Sequence, residues 1–207
     1  MEYPQDLKKV ATKAMEPFLT EGFLSGNGNE HAKLMFVGEA PGKTEVTSHL
    51  PFSGRAGQEL DNLLNLINLK RTDVYITSTV RSRPYKYVAG RKISDMPNRK
   101  PTQKEITAHA CLLDYEIRQV QPKIIATLGD VALKRLLGAN FQLRNDHGKL
   151  LYHKIKQYDL TKQTYNWSDN KIYLMPLYHP AAIFYNPKLR DVIKQDWLNL
   201  HAALQRI

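Results

Sequence analysis

Apolar positions along the chain fall into two alternating rhythms. Leu34-Met35-Phe36-Val37 is an unbroken apolar run stopped by Gly38, the pattern of a strand buried on both faces. Leu60, Leu63, Leu64 and Ile67 then recur at helical spacing and predict an amphipathic helix over about Ala56 to Asn68. Val74 to Thr77, β-branched and aromatic, predicts a second strand. A long polar connection follows and is closed by Pro97 and Pro101. Thr102, with Glu105 three positions on, has the form of a capping box for a helix running to about Val120. Pro122 introduces a third strand, Lys123 to Leu128, ended by Gly129, and Val131 to Leu137 predicts a helix ended by Gly138. Lys149–Ile155 and Gln163–Trp167 predict a hairpin, Ile172–Leu177 a fourth strand, and Pro187–Ile207 a closing helix.

Strands alternating with helices call for a mainly parallel sheet covered on both faces. The expectation is a three-layer α/β/α sandwich around four strands, one domain over 1–207, with 1–30 as an N-terminal helical extension and 81–101 as a long basic loop. Ligands in such sheets collect where strands end at their carboxyl edge. Here those ends open into the segments after Gly38, Thr77, Gly129 and Tyr178.

Composition narrows the picture. The 207 residues carry 42% hydrophobic residues, enough for a core without covalent staples. One cysteine, Cys111, excludes an internal disulfide and a four-cysteine metal site. The first residues, with Glu2, Asp6, Lys8 and Lys9 among apolar ones, do not resemble a signal peptide, and no apolar run is long enough to span a membrane. The expected compartment is the cytoplasm. A net charge of +10 favours a polyanionic partner, since each neutralised phosphate releases counterions. The charge is concentrated: Arg81, Arg83, Lys86, Arg91, Lys92, Arg99, Lys100 and Lys104 face one acid, Asp95, with Tyr85 and Tyr87 between them. Cations interleaved with aromatics suit a groove that tracks a nucleic-acid backbone; a solvated loop has the same composition.

Gly38-Glu39-Ala40-Pro41-Gly42-Lys43-Thr44 follows a strand and invites a phosphate-loop reading. That motif needs four residues between its glycines and here there are three, while Pro41 removes one of the N–H groups the loop exists to offer. Nucleotide hydrolysis is therefore disfavoured.

The same residues resemble the first motif of the iron–sulfur-containing uracil-DNA glycosylases of bacteria and archaea (family 4). The match continues in register through Glu45, Pro51-Phe52, Gly54, Ala56-Gly57 and Leu63-Leu64, and extends to Val74–Pro84, Asn98–Pro101, Pro122–Gly129 and His179-Pro180. The resemblance implies an enzyme of base excision repair that flips a nucleotide from DNA and hydrolyses its glycosidic bond. By resemblance, Phe52 is the ring on which the base stacks, and His179 donates to a carbonyl oxygen of uracil as charge develops there. Glu39 either orients the attacking water or is a supporting hydrogen-bonding group, and Glu45 carries the same ambiguity. Asn98 positions water or backbone, or is simply a turn residue after Pro97. Gly38, Ala40 and Ser78 complete the expected base-binding set. Ile183 and Phe184 are the expected wedges into the DNA stack, or are buried, and Tyr185 stands where the family often carries arginine. Arg83, Arg91, Lys92, Arg99 and Lys100 are the expected phosphate contacts.

Two departures stand out. An iron–sulfur cluster takes four thiolates. Cys111 matches one, Ser82 lies where another belongs, and no Cys-x-x-Cys exists near the start, so no cofactor or metal is expected. Ser78 occupies the position of the family's uracil-reading asparagine, and a hydroxyl makes fewer directional contacts than an amide. The sequence thus points to a monomeric, cofactor-free glycosylase for uracil or a related deaminated base. The alternative is a DNA-binding relative with altered lesion specificity or no activity.

Overall fold

The computed structural model describes residues 1–207. The chain runs α1 (Gln5–Met15), β1 (Thr20–Glu21), β2 (Asn27–Gly28), β3 (Leu34–Gly38), α2 (Lys43–Ser48), α3 (Arg55–Leu66), β4 (Tyr75–Ser78) and β5 (Arg83–Pro84). It continues through α4 (Gln103–Ala108), α5 (Ala110–Val120), β6 (Ile124–Leu128), α6 (Asp130–Leu137) and α7 (Leu143–Asp146). The last elements are β7 (Leu151–Asp159), β8 (Thr164–Leu177), α8 (Ala182–Tyr185) and α9 (Leu189–Arg206).

The central sheet has the order β2-β4-β3-β6-β8-β7. Four strands, β4, β3, β6 and β8, are parallel, as expected; β2 and β7 add an antiparallel strand at each edge, making six where the sequence indicated four. The β7 edge is the first strand of the predicted hairpin, now joined to the sheet, whereas β2 was not anticipated. β2 is only Asn27-Gly28, with no apolar pattern at all. β8 fuses the second hairpin strand with the fourth predicted strand, because pairing with β7 carries the polar stretch Ser168-Asp169-Asn170-Lys171 through as strand. β1 and β5 form a separate two-stranded ribbon.

Successive β3 side chains point to opposite layers. Leu34 and Phe36 pack with Leu60 and Leu64 of α3 and with Trp197 and Leu200 of α9, and the Phe36 and Trp197 rings stack at 5.1 Å. Met35 and Val37 pack with Leu113 and Ile117 of α5 and with Leu133 and Leu136 of α6. These two cores make the α/β/α sandwich.

The predicted capping box is present: Thr102 Oγ1 accepts from the Glu105 N–H while Glu105 accepts from the Thr102 N–H. The helix it starts breaks at His109, whose backbone leaves the helical region. Its buried Nδ1 accepts the Arg81 N–H at 2.8 Å, so one side chain serves the neighbouring loop where a straight helix would turn it elsewhere.

Residues 1–30 are helical only over α1, and they are tied into the body. Tyr3, Ala11, Cys111 and Leu112 form a third apolar cluster with Leu7, Phe23 and Tyr115 around it. Beneath it the fully buried Glu116 accepts from the hydroxyls of Tyr3, Tyr75 and Thr77 and pairs with Arg81 at 2.7 Å. Arg81 in turn donates to the Ser78 carbonyl. A charge removed from water on this scale persists only when every lone pair and proton is matched, and here the matching partners come from the N-terminal segment, β4 and α5.

Candidate active site

The carboxyl ends of β3 and β4 lie side by side, Gly38 opposite Ser78, and those of β6 and β8 likewise, Leu128 opposite Leu177. The loops that leave this edge enclose a cavity of about 280 Å³. Ala40, Pro41, Gly42, Glu45, Phe52, Ser78, Asn98 and His179 all line it. Residues from four separate stretches of sequence are therefore brought to one place.

The Phe52 and His179 rings stand 5.5 Å apart with 29° between their planes. Phe52 sits at φ +53°, a left-handed conformation unusual for an aromatic residue. Arg71 holds it there: Nη1 donates to the Pro51 carbonyl at 2.8 Å and Nη2 to the Phe52 carbonyl at 2.6 Å, while Nε pairs with Asp61 at 2.6 Å. Two glycines are required by this turn. A Cβ on Gly38 would stand 2.9 Å from the Phe52 ring, and one on Gly57 would lie 1.6 Å from the Phe52 carbonyl oxygen. Arg71 was missed by the sequence reading because nothing in its neighbourhood marks it.

His179 follows β8. Its Nδ1 accepts the Ala181 N–H at 3.2 Å, which assigns the proton of the neutral ring to Nε2. Burial, assisted by the charge of Lys100, pushes its pKa down to about 4. The imidazole is thus a neutral donor at physiological pH.

Glu39 points elsewhere. Its carboxylate lies against Gly129, 2.8 Å from where a Cβ there would be, and faces the Val131 N–H at the start of α6. Burial raises its carboxyl above the ordinary range, with Lys100 and the Val131 N–H opposing. Glu45, in the first turn of α2, lines the cavity and reaches back over Gly42: its Oε2 is 2.6 Å from the place of a Gly42 Cβ. A carboxylate stands where a phosphate cradle would need open N–H groups, and Lys43 is engaged with Asp95 at 2.8 Å, which disposes of the phosphate-loop reading. Ser78 is half-buried in the wall, and its hydroxyl donates to the Val80 carbonyl at 2.7 Å. Toward a base it has only lone pairs to offer.

Two of the expected DNA contacts, Arg83 and Ile183, are corrected by their burial. Arg83 has no exposed surface; it is bound to Asn98, Glu21 and the Met96 carbonyl and cannot reach a phosphate. Arg99 is half-buried and clamps Glu105 with both terminal nitrogens, at 2.8 and 2.6 Å. Ile183 is buried in the core, so it is no wedge. Phe184 is half-buried with the Arg55 guanidinium 3.9 Å above its ring. Tyr185, at the tip of α8, is 89% exposed and is the side chain that projects. Arg91, Lys92 and Lys100 are exposed.

The residues present do not fit an iron–sulfur cluster. Cys111 is buried among Tyr3, Ala11 and Leu112, Ser82 is also buried, and no group of three or more potential metal-ligating side chains converges anywhere in the fold. No helix is long and apolar enough to cross a membrane.

The family model of the uracil DNA glycosylase superfamily matches residues 25–201. The chain belongs to that superfamily. Among its relatives, the Type-4 uracil-DNA glycosylase of Saccharolobus solfataricus is 37% identical over 180 residues, 86% of this chain and 74% of that protein. Those of Sulfurisphaera tokodaii and Archaeoglobus fulgidus are 36% and 33% identical, covering 83% and 84% of this chain and 70% and 78% of theirs. The solved structure of wild-type Pedobacter heparinus SMUG2 aligns over 97% of this chain and 98% of that one, with a TM-score of 0.47 and 12% identity. The family 4 relationship inferred from the Gly38–Phe52 motif holds.

Proposed function

We propose that the protein is a DNA glycosylase that extrudes a uracil, or a related deaminated base, and hydrolyses its bond to deoxyribose. The observation that carries this reading is the convergence of Phe52, held in a strained turn, with His179, a neutral imidazole whose Nε2–H is free to donate, in one cavity at the carboxyl edge of the sheet. As the glycosidic bond breaks, the base departs as an anion and the sugar gains oxocarbenium character. A donor aimed at the developing charge of the base favours the transition state over the ground state, which is what accelerates the step. Glu45, on the cavity wall, is the better-placed carboxylate to face the cationic sugar or its water. Glu39 acts from behind, through the Gly129 turn and α6. Tyr185 takes the wedge role in place of Ile183 and Phe184, filling the gap left by the extruded nucleotide, and Arg91, Lys92 and Lys100 meet phosphates. The protein works on DNA as a cytoplasmic monomer and without a cofactor: its single thiol, Cys111, is committed to packing against α1.

Ser78 supports a second reading, of relaxed lesion choice. With its proton directed to Val80, it can accept from a base N–H but cannot donate to a base carbonyl, and losing a directional contact of that kind widens the range of tolerated bases. Single-turnover cleavage of oligonucleotides carrying uracil, hypoxanthine, xanthine or a G·T mismatch tests both readings. Excision of uracil alone supports strict specificity and comparable rates on two or more lesions support the second reading; binding without an abasic product from any of them would refute glycosylase activity.

A further inference from the structure

Asn98 lies on an exposed loop, yet its amide is not free to turn. Arg83 Nε donates to Asn98 Oδ1 at 2.5 Å. Arginine carries donors and no acceptor, so the atom facing it must be the amide oxygen, and the amide flip is thereby decided. The NH2 group is left on the cavity side. Nδ2 stands 3.2 Å from the place of a Gly42 Cβ, a point that Glu45 Oε2 also approaches, to 2.6 Å, and Asn98 lines the cavity. Arg83 is itself immobile. Its side chain is fully buried, with Nη1 on the Glu21 carboxylate and Nη2 on the Met96 carbonyl. A planar fork with several fixed anchors holds its remaining N–H in one direction, as a lysine ammonium could not.

We propose that Arg83 is a positioning residue for catalysis: it fixes the Asn98 amide with its NH2 toward the cavity, where it donates to an oxygen acceptor of the extruded nucleotide. This rests on the glycosylase reading above and assigns to a buried cation a role that a phosphate contact could not fill. It also explains why the long basic loop returns to the site at Asn98. Residues 93–96 are bound to Arg83 through the Ile93 and Met96 carbonyls, and the loop delivers Asn98 from that anchor.

A double-mutant cycle tests it, with Arg83→Gln, Asn98→Ala and the combination compared in single-turnover excision and in thermal unfolding. Each single substitution should slow excision about 10²-fold, the loss typical of one aimed donor. With Asn98 already alanine, Arg83→Gln should slow it less than about 3-fold further, because the two residues act as one unit. The loss of unfolding temperature from Arg83→Gln should be alike in both backgrounds. Multiplicative losses in rate would mean that Arg83 merely supports the loop, and would overturn the proposal. Asn98→Asp serves should Arg83→Gln fail to fold: it keeps the acceptor on Arg83 and removes only the donor. It should unfold no earlier than the parent and cleave as slowly as Asn98→Ala; parent-like cleavage would overturn the proposal. The same variants are titrated with an oligonucleotide carrying a non-hydrolysable 2′-fluoro-deoxyuridine. A parent that binds this probe without cleaving uracil DNA would end the glycosylase reading, while coupling or additivity in affinity would still decide the role of Arg83.

Discussion

At the residue scale, the site works by fixing which atoms donate. The His179 Nδ1 is occupied by the Ala181 N–H, the Ser78 proton is directed to Val80, and Asn98 is turned by Arg83. Each polar group is thereby held in one hydrogen-bonding sense. His179 is a neutral donor that lines the cavity. His179→Ala should slow uracil excision by about 10²–10³-fold, while affinity for the 2′-fluoro-deoxyuridine oligonucleotide changes by less than about 10-fold, since the donated bond strengthens mainly as the base departs. Equal losses in rate and affinity, read by single-turnover cleavage and a binding titration, would instead make His179 a ground-state contact.

Turns and loops decide how well the elements present these atoms. The 51–57 turn brings Phe52 to the cavity at the cost of a left-handed backbone, and it closes only because Gly57 lets the Phe52 carbonyl approach. Gly57→Ala should therefore displace Phe52 and destabilise the fold by about 1–3 kcal/mol, the usual penalty of overpacking. Chemical denaturation measures the penalty, and an unchanged midpoint would show that the turn has room. The basic loop divides its cations between two tasks. Arg81, Arg83 and Arg99 are bound to Glu116, Glu21 and Glu105, whereas Arg91 and Lys92 are exposed. Replacing Arg91 and Lys92 by alanine should reduce the slope of log affinity against log salt by about 2, one counterion per lost contact. A slope equal to the parent's would remove this part of the loop from the DNA.

For the whole molecule, the network around Arg81 and the third apolar cluster bind α1 and the N-terminal segment to the floor of the cavity. Ordinary packing occupies the surroundings of Cys111, with Tyr3 and Ala11 against it. One consequence is readable as pH dependence. Burial, reinforced by Arg81, pushes the His109 pKa down to about 3, and burial pushes that of His179 to about 4. Both folded values lie below the unfolded one, so as pH falls below about 6.5 the unfolded chain takes up protons that the native protein refuses. Each histidine then removes up to about 1.4 kcal/mol of stability per pH unit until the pH reaches its folded pKa. The raised carboxyls Glu39, Asp114 and Asp196 act in the opposite sense. Urea unfolding of the parent and of His109→Asn at pH 7.5, 6 and 5 isolates one histidine: relative to the variant, the parent should lose stability as pH falls, and a constant difference would contradict the buried neutral assignment.

The local determinants of this protein were written in the chain. Apolar runs placed the four parallel strands, Thr102 and Glu105 marked a helix start, and the spacing from Gly38 to Phe52 together with His179 identified the family and the cavity lining. These signals depend on near neighbours, and near neighbours are what a sequence displays. The fate of the charges depended on partners far away. Arg83 meets Glu21 across 62 positions and Arg81 meets Glu116 across 35, so two cations of an apparently basic loop became buried supports. Likewise only tertiary packing decided that Ile183 faces inward and Tyr185 outward, and that polar β2 joins the sheet. A side chain's type fixes what it can bind; which partner it meets, and hence whether it touches DNA or holds up the site, is settled only when the chain closes on itself.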